Sequence, residues 1–325
     1  MTTEGPSTLY HLTWAYQVVR DAWHALSMDQ QCDESAPWDQ WEPLEGPDES
    51  AGGRTRLLVE AEISANNAVR GVLHHLRSLA MIYPPDALQD SGLHPNGWPG
   101  FAAFTLARTL LEGTALAAWL LPADPGERLY RSARFHLWSA CEQRSGGATI
   151  PPDERGSVEY TQRLAKDAGF DVRPFGKDYG HGRNIAIYQG GQPKPFHSLA
   201  PVRCLIDVDG KSLYHQWSAT AHYASWAHQP WTSLSLARGE TGLLASTLAF
   251  EDKHVELAAD VSSIVREAGN AVGTYYGRKT ESFADRLEQV ETHLRTQIPT
   301  IRRQLGRPDA DPTASAVAVS RDSGG

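Results

Sequence analysis

Three groups of residues in this chain have the types and spacing to do chemistry. The first is Arg108 and Glu112, four apart in the run ARTLLEGTALAAWLLPADPGERLYR. On a helix they share a face, where a guanidinium can hold an anionic or carbonyl group of a ligand while the carboxylate orients it. The second is Tyr214, Ser218 and His222, which one helix would set in a row as phenol, hydroxyl and imidazole. Nothing around them marks a nucleophile elbow, an oxyanion hole or a third orienting group. The row therefore reads as a pocket wall facing Arg108 and Glu112, or as a polar seam between helices. The third group is Glu251 and His254, the i, i+3 pair that helical di-iron sites use in duplicate with two further glutamates. A single pair falls short of such a site, no metal is expected, and His254 fits as well on a solvated face beside Asp252 and Lys253. No phosphate-cradling glycine loop, zinc spacing or dinucleotide fingerprint occurs, so no cofactor is expected.

These side chains need a scaffold, and the pattern is helical nearly throughout. Leu9–Met28 carries Leu12, Tyr16, Val19 and Trp23 at helical spacing. The acidic, Pro- and Trp-dotted stretch Asp29–Gly53 has no period and reads as a loop. Arg54–Ile82 is a second helix, with Leu58, Ala61, Ala65, Val69, Val72, Leu76 and Leu79 on one face, stopped by Tyr83-Pro84-Pro85. The apolar helix from Phe101 ends at Pro122 and is expected to bury its charged pair. The chain restarts with Asp124 as N-cap, Pro125 at the first helical position and Glu127 set for a capping box, and runs to about Arg144. After the loop Gly146–Gly156 and a short helix Val158–Ala168, residues 169–201 form an irregular Gly/Pro-rich insertion in which only Asn184–Tyr188 looks like a strand. Helices resume over Pro201–Asp207, Lys211–His228, Thr241–Tyr276 and Ser282–Leu305. The expectation is an all-α chain: one multi-helix domain over 1–306 and a disordered tail over 307–325.

Composition bounds the function. With 325 residues and 41% hydrophobic content the chain can build one large core. A net charge of -9 and a pI near 5.8 give no electrostatic footprint for nucleic acid or an anionic membrane. Phe101–Leu121 is long enough to span a bilayer, but Arg108 and Glu112 at its centre would each cost about 2.5 kcal/mol or more. Three cysteines, Cys32, Cys141 and Cys204, are odd in number and far apart. Together with an N-terminus that lacks a signal-peptide pattern, they point to a reducing, cytoplasmic setting. Ten tryptophans leave room for anchors at a partner surface or a homodimer interface.

The run ARTLLEGTALAAWLLPADPGERLYR, followed by YHQWSATAHYASWA, resembles helical families of unassigned function from high-GC Gram-positive bacteria. Those families carry an Arg-x3-Glu helix, a Trp-Leu-Leu and Pro-bearing turn, a Glu-Arg, and a later Tyr-x3-Ser-x3-His helix. The matching positions are Arg108, Glu112, Trp119, Glu127, Arg128, Tyr214, Ser218 and His222. A glycine usually follows that histidine, and Tyr223 stands here instead. The resemblance implies a helical fold and a candidate polar cluster. More distantly the pattern is similar to HEPN-like proteins, whose ribonucleases use an Arg-x4-6-His motif. Arg70 with His75 and Arg131 with His136 match that spacing, where composition alone would give roughly one such match. Three functional expectations follow. The first is a small-molecule- or partner-binding module built around Arg108, Glu112, Tyr214, Ser218 and His222. Its alternative is a HEPN-like metal-independent ribonuclease, a toxin or defence component, using the Arg–His pairs. A helical metalloprotein at Glu251 and His254 ranks third.

Overall fold

The computed structural model describes residues 8–28, 36–37, 49–83, 102–176, 184–206, 208–221, 233–238, 244–247 and 251–304. The stripe expected on the first helix is the face that α1 (Thr8–Met28) buries: Leu12, Tyr16, Val19 and Trp23 are all shut off from solvent. Likewise α2 (Glu49–Ile82) buries Leu58, Ala61, Ala65, Val72, Leu76 and Leu79. It packs along α3 (Ala102–Leu120), whose Gly113 permits the approach: a Cβ there would lie 3.2 Å from a Val72 methyl. The long antiparallel pair α8 (Glu251–Tyr275) and α9 (Glu281–Gln304) closes the other side. Side chains of these five helices, among them Tyr16, Leu76, Phe104, Leu110, Val265 and Leu287, form the main core.

The restart after Pro122 is built as the sequence writes it. Asp124 accepts a hydrogen bond from the Glu127 amide at 2.6 Å, and Pro125 opens α4 (Pro125–Ser145). The Glu127 carboxylate turns forward to the Arg131 guanidinium, at 2.7 Å, so half of the capping box is used. Next, α5 (Val158–Asp167) starts on Ser157, which accepts from the Tyr160 amide at 3.0 Å. Leu57, Ala133, Leu137, Leu164, Val172 and Ile187 make a second cluster beneath α4 and α5.

Residues 169–201 depart from the irregular insertion expected of them. They hold an antiparallel meander, β1 (Val172–Phe175), β2 (Asn184–Gln189) and β3 (Gln192–Lys194), followed by α6 (Leu199–Leu205). Gly190 and Gly191, at φ 58° and 77°, form the two-residue turn between β2 and β3, a conformation in which both positions favour glycine. Beyond α7 (Val208–Ala221) lies a hairpin, β4 (Ser233–Arg238) with β5 (Leu244–Thr247), where a helix from Thr241 was expected. The alternation Ser-Leu-Ser-Leu in β4 is a period-two signal, and β4 pairs with β5 along one edge, with a register shift between Ser233 and Ala237.

The start of α2 also differs, because Glu49–Gly53 belongs to the helix rather than to the loop before it. Gly52-Gly53 reads locally as a helix breaker. Tertiary packing overrides it, since a Cβ at Gly53 would sit 2.7 Å from that of Asp167 beside α5. The chain is all-α in class, with nine helices and two small antiparallel sheets among the described residues. No helix among them is long and apolar enough to cross a membrane. The tail 307–325 and the expected helical residues 222–228 lie outside the described residues.

Candidate ligand-binding site

Arg108 and Glu112 do meet on α3, with Nε 3.2 Å from Oε1, and α7 brings Tyr214 to them. Trp217, buried in the main core, anchors α7 three residues further on. The Arg108 Nη2 donates to the Tyr214 hydroxyl at 3.4 Å, and the guanidinium stands 5.4 Å from the ring centre. The burial expected of this pair is not found. Their side chains remain 23% and 40% exposed, so the cluster sits at the rim of the core. Ser218 follows on α7, half-buried, and His222 lies outside the described residues.

Two adjoining hollows are cut alongside α2, and His136 lines both. The larger, about 460 Å³, runs between α2, α3 and α4, with His75 and Glu112 at its walls and Val72, Leu116 and Phe135 as its apolar part. The smaller, about 190 Å³, continues toward α5 past Glu60, Gln143, Arg155 and Tyr160. Ser64, Asn67, His136 and Ser139 belong to both. The polar walls have a helical origin: Glu60, Ser64, Asn67, Gly71 and His75 follow one another down one face of α2, and Ser132, His136, Ser139 and Gln143 do so on α4. Ser132 is spent on structure, donating to the Leu57 carbonyl at 2.6 Å.

The His136 imidazole is hydrogen-bonded to the backbone of Glu60, and its Nε2 is buried with no partner. The bond to a carbonyl therefore uses Nδ1–H, which leaves Nε2 as a bare acceptor. Burial is the main force holding its pKa below the ordinary histidine value; the nearby Glu60 charge opposes this and Arg155 adds to it. Glu60 and Arg155 are themselves paired at 2.6 Å. His75 is also held low, chiefly by burial and secondly by His74.

The two Arg-x4-His pairs do not assemble as pairs. Five residues rotate a helix by about 140°, so each arginine and its histidine face different ways. Arg131 donates to the Trp119 carbonyl at 2.9 Å and to Glu127, and its guanidinium stands over the Trp119 ring. Arg70 is exposed on α2. The structure instead brings His75 and His136 to one groove.

His254 also departs from its expected place. It lies in the core rather than on a solvated face, its Nδ1 2.5 Å from the Tyr83 hydroxyl, and burial pushes its pKa down to about 3. Asp252 beside it is buried too, paired with Arg302 at 3.5 Å. The described residues hold no group of three His, Cys, Asp or Glu side chains able to share a metal ion. Compared with known proteins, the chain matches no family model, no curated protein and no solved structure, so the resemblance rests on the quoted residues alone.

Proposed function

We propose that the chain is a cytoplasmic small-molecule-binding protein whose ligand lies in the α2–α4 groove against His136. The observation that carries this reading is the pair of adjoining hollows, about 460 and 190 Å³, that both reach His136. The unpartnered His136 Nε2 adds a cost of about 1–3 kcal/mol to the unliganded chain. The neighbouring Ser64, Asn67 and Ser139 have the mixed donor and acceptor character that fixes a ligand's orientation in a partly apolar hollow. Glu112 links this groove to the Arg108–Tyr214 cluster, so the rim pair forms one end of the same site. Cys141 and Cys204, both free thiols, fit the reducing compartment.

His136→Met tests the proposal directly, because it removes the orphan acceptor while keeping volume in the groove. The ligand-free variant is expected to be more stable than wild type by about 1 kcal/mol in urea unfolding. Native mass spectrometry of freshly purified wild type should show an excess over the denatured mass that the variant lacks. A loss of stability of 1 kcal/mol or more, with no excess mass in either protein, would make His136 a packing residue and sink the reading.

A second reading, the HEPN-like ribonuclease, is favoured by His75 and His136 sharing one groove. There one imidazole would take the proton from an RNA 2′-hydroxyl while the other protonated the leaving oxygen. Against it stand the diverging arginines and the net charge of -9, which repels a polyphosphate. RNA cleavage by wild type that disappears in both His75→Ala and His136→Met would reverse the ranking.

A further inference from the structure

We infer that His11 and His293 form a two-histidine site for a borderline divalent transition-metal ion, Zn²⁺, Ni²⁺ or Cu²⁺, which clasps the first turn of α1 to the middle of α9. The site shares no residue with the α2–α4 groove and stands independently of the binding reading. Packing of the two helices brings His11 Nδ1 to 3.0 Å from His293 Nε2. The ring centres are 4.9 Å apart with planes tilted by 49°, so the nitrogen-bearing edges face each other. Trp14, one turn after His11 on α1, meets the His293 ring edge-on at 5.2 Å between centres. His293 is therefore held against two side chains of α1.

The spacing suits one ion. Two metal–nitrogen bonds of about 2.1 Å, meeting at angles between square and tetrahedral, separate their nitrogens by about 3.0–3.4 Å. Two imidazoles alone close that gap with one ring proton, since one must donate for the other to accept. An ion there needs both facing nitrogens bare, which takes only a tautomer shift of the donor ring and no loss of a proton. Neither outer nitrogen is hydrogen-bonded among the described residues, so the shift breaks no other bond. Both side chains are half-buried, and the coordination positions they leave unfilled fall to water or an exogenous donor.

The donor set selects the ion. No third His, Cys, Asp or Glu side chain joins the pair among the described residues. Two imidazoles without a carboxylate offer little to Mg²⁺ or Ca²⁺, which take oxygen donors, whereas Zn²⁺, Ni²⁺ and Cu²⁺ favour imidazole. Partners on the outer N–H groups, which commonly add about 10–100-fold in affinity, are lacking here among the described residues. The site therefore loads and unloads with the surrounding metal concentration. Loaded, it stabilises the folded chain in proportion to that concentration, because the unfolded chain does not hold the two rings together.

Zinc and magnesium chlorides, titrated into the full chain of wild type, His11→Asn and His293→Gln, test the site. Each substitution keeps an amide near the facing nitrogen and removes the imidazole ligand. Native mass spectrometry of wild type should show one zinc per chain, and its melting temperature should rise with zinc but not with magnesium. Either substitution should weaken this zinc binding at least tenfold and abolish the rise. Copper reports the location, since an ion at this pair quenches Trp14; part of the fluorescence loss in wild type should be missing from Trp14→Phe, which keeps both ligands. No zinc binding in wild type, or affinity unchanged in either histidine variant, would overturn the site. One zinc per two chains would overturn the single-chain chelate. Should a histidine variant fail to fold, equal copper quenching of wild type and Trp14→Phe would overturn the placement by itself.

Discussion

Arg108 and Glu112 show how far residue type and spacing carry an argument before burial is known. Opposite charges inside an apolar run suggest a buried pair, whose disruption would cost 3–5 kcal/mol. At 23% and 40% exposure the pair is instead a helix-surface interaction with one added phenol contact. Arg108→Ala should therefore lower stability by less than about 1 kcal/mol in urea unfolding. A loss of 3 kcal/mol or more would show that the pair does carry the core. The charge that this region does bury is Arg128, which stacks 4.8 Å over Tyr275 and donates to the Pro37 carbonyl at 3.4 Å. Much of the candidate site was legible in the same way but went unread. Glu60, Ser64, Asn67, Gly71 and His75 recur at helical spacing on the flank of the apolar stripe of α2, and His136, Ser139 and Gln143 recur so on α4. Periodicity assigns each residue to a face of its own helix. It does not say which faces will meet, so the pairing of the two polar rows had to come from the fold. The orphan state of His136 Nε2 was beyond reach for a further reason, since it depends on a backbone bond to Glu60 on another helix.

At the scale of elements, helices with long apolar stripes and written caps were read correctly, because burial and capping reinforce one another there. Asp124-Pro125 is the clearest case. Of the meander, β2 was legible in Asn184–Tyr188, while β1, β3 and the hairpin strands run only three to six residues, too short for a period to stand out. Gly190-Gly191 was the local signal for the meander. A second overlooked glycine feature lies on α8, where Gly269 and Gly273 are four apart. A Cβ at Gly269 would stand 2.2 Å from the Phe283 ring, and one at Gly273 would stand 2.2 Å from a Thr280 methyl. These two positions let α9 and the turn before it close down on α8, and Phe283 is buried where it does so. Gly269→Ala gains helix propensity but must displace a packed aromatic ring. It should destabilise the protein by about 1–3 kcal/mol, as overpacking does. A shifted urea midpoint at unchanged slope is the expected reading. A neutral or stabilising result would mean that the α8–α9 contact is loose.

For the whole molecule, the buried titratable groups set how stability depends on pH. His11, His75, His136 and His254 all have pKa values depressed below 6.5, each chiefly by burial. For a base held low in the folded state, the unfolded chain binds more protons between the two pKa values. Its contribution is thus complete above pH 6.5 and is lost as the pH falls, for His254 down to about pH 3. Asp260 works the other way. Burial raises its pKa from 3.8 to about 6 despite Arg295 at 3.1 Å, so the folded state takes up the extra proton and stability from this group rises as pH falls through that interval. Among the described residues four imidazoles oppose one carboxylate, and the melting temperature should drop between pH 7 and pH 4.5. Each proton of imbalance is worth about 1.4 kcal/mol per pH unit. Asp260→Asn removes the opposing group and should make that drop steeper. The ion pair to Arg295 exists only where Asp260 is charged and is already contained in its folded-state pKa, so the change of slope between melting curves of the two proteins across pH 4.5–7 reads the proton uptake. A flat profile in wild type would mean that the histidines reach water in the folded state.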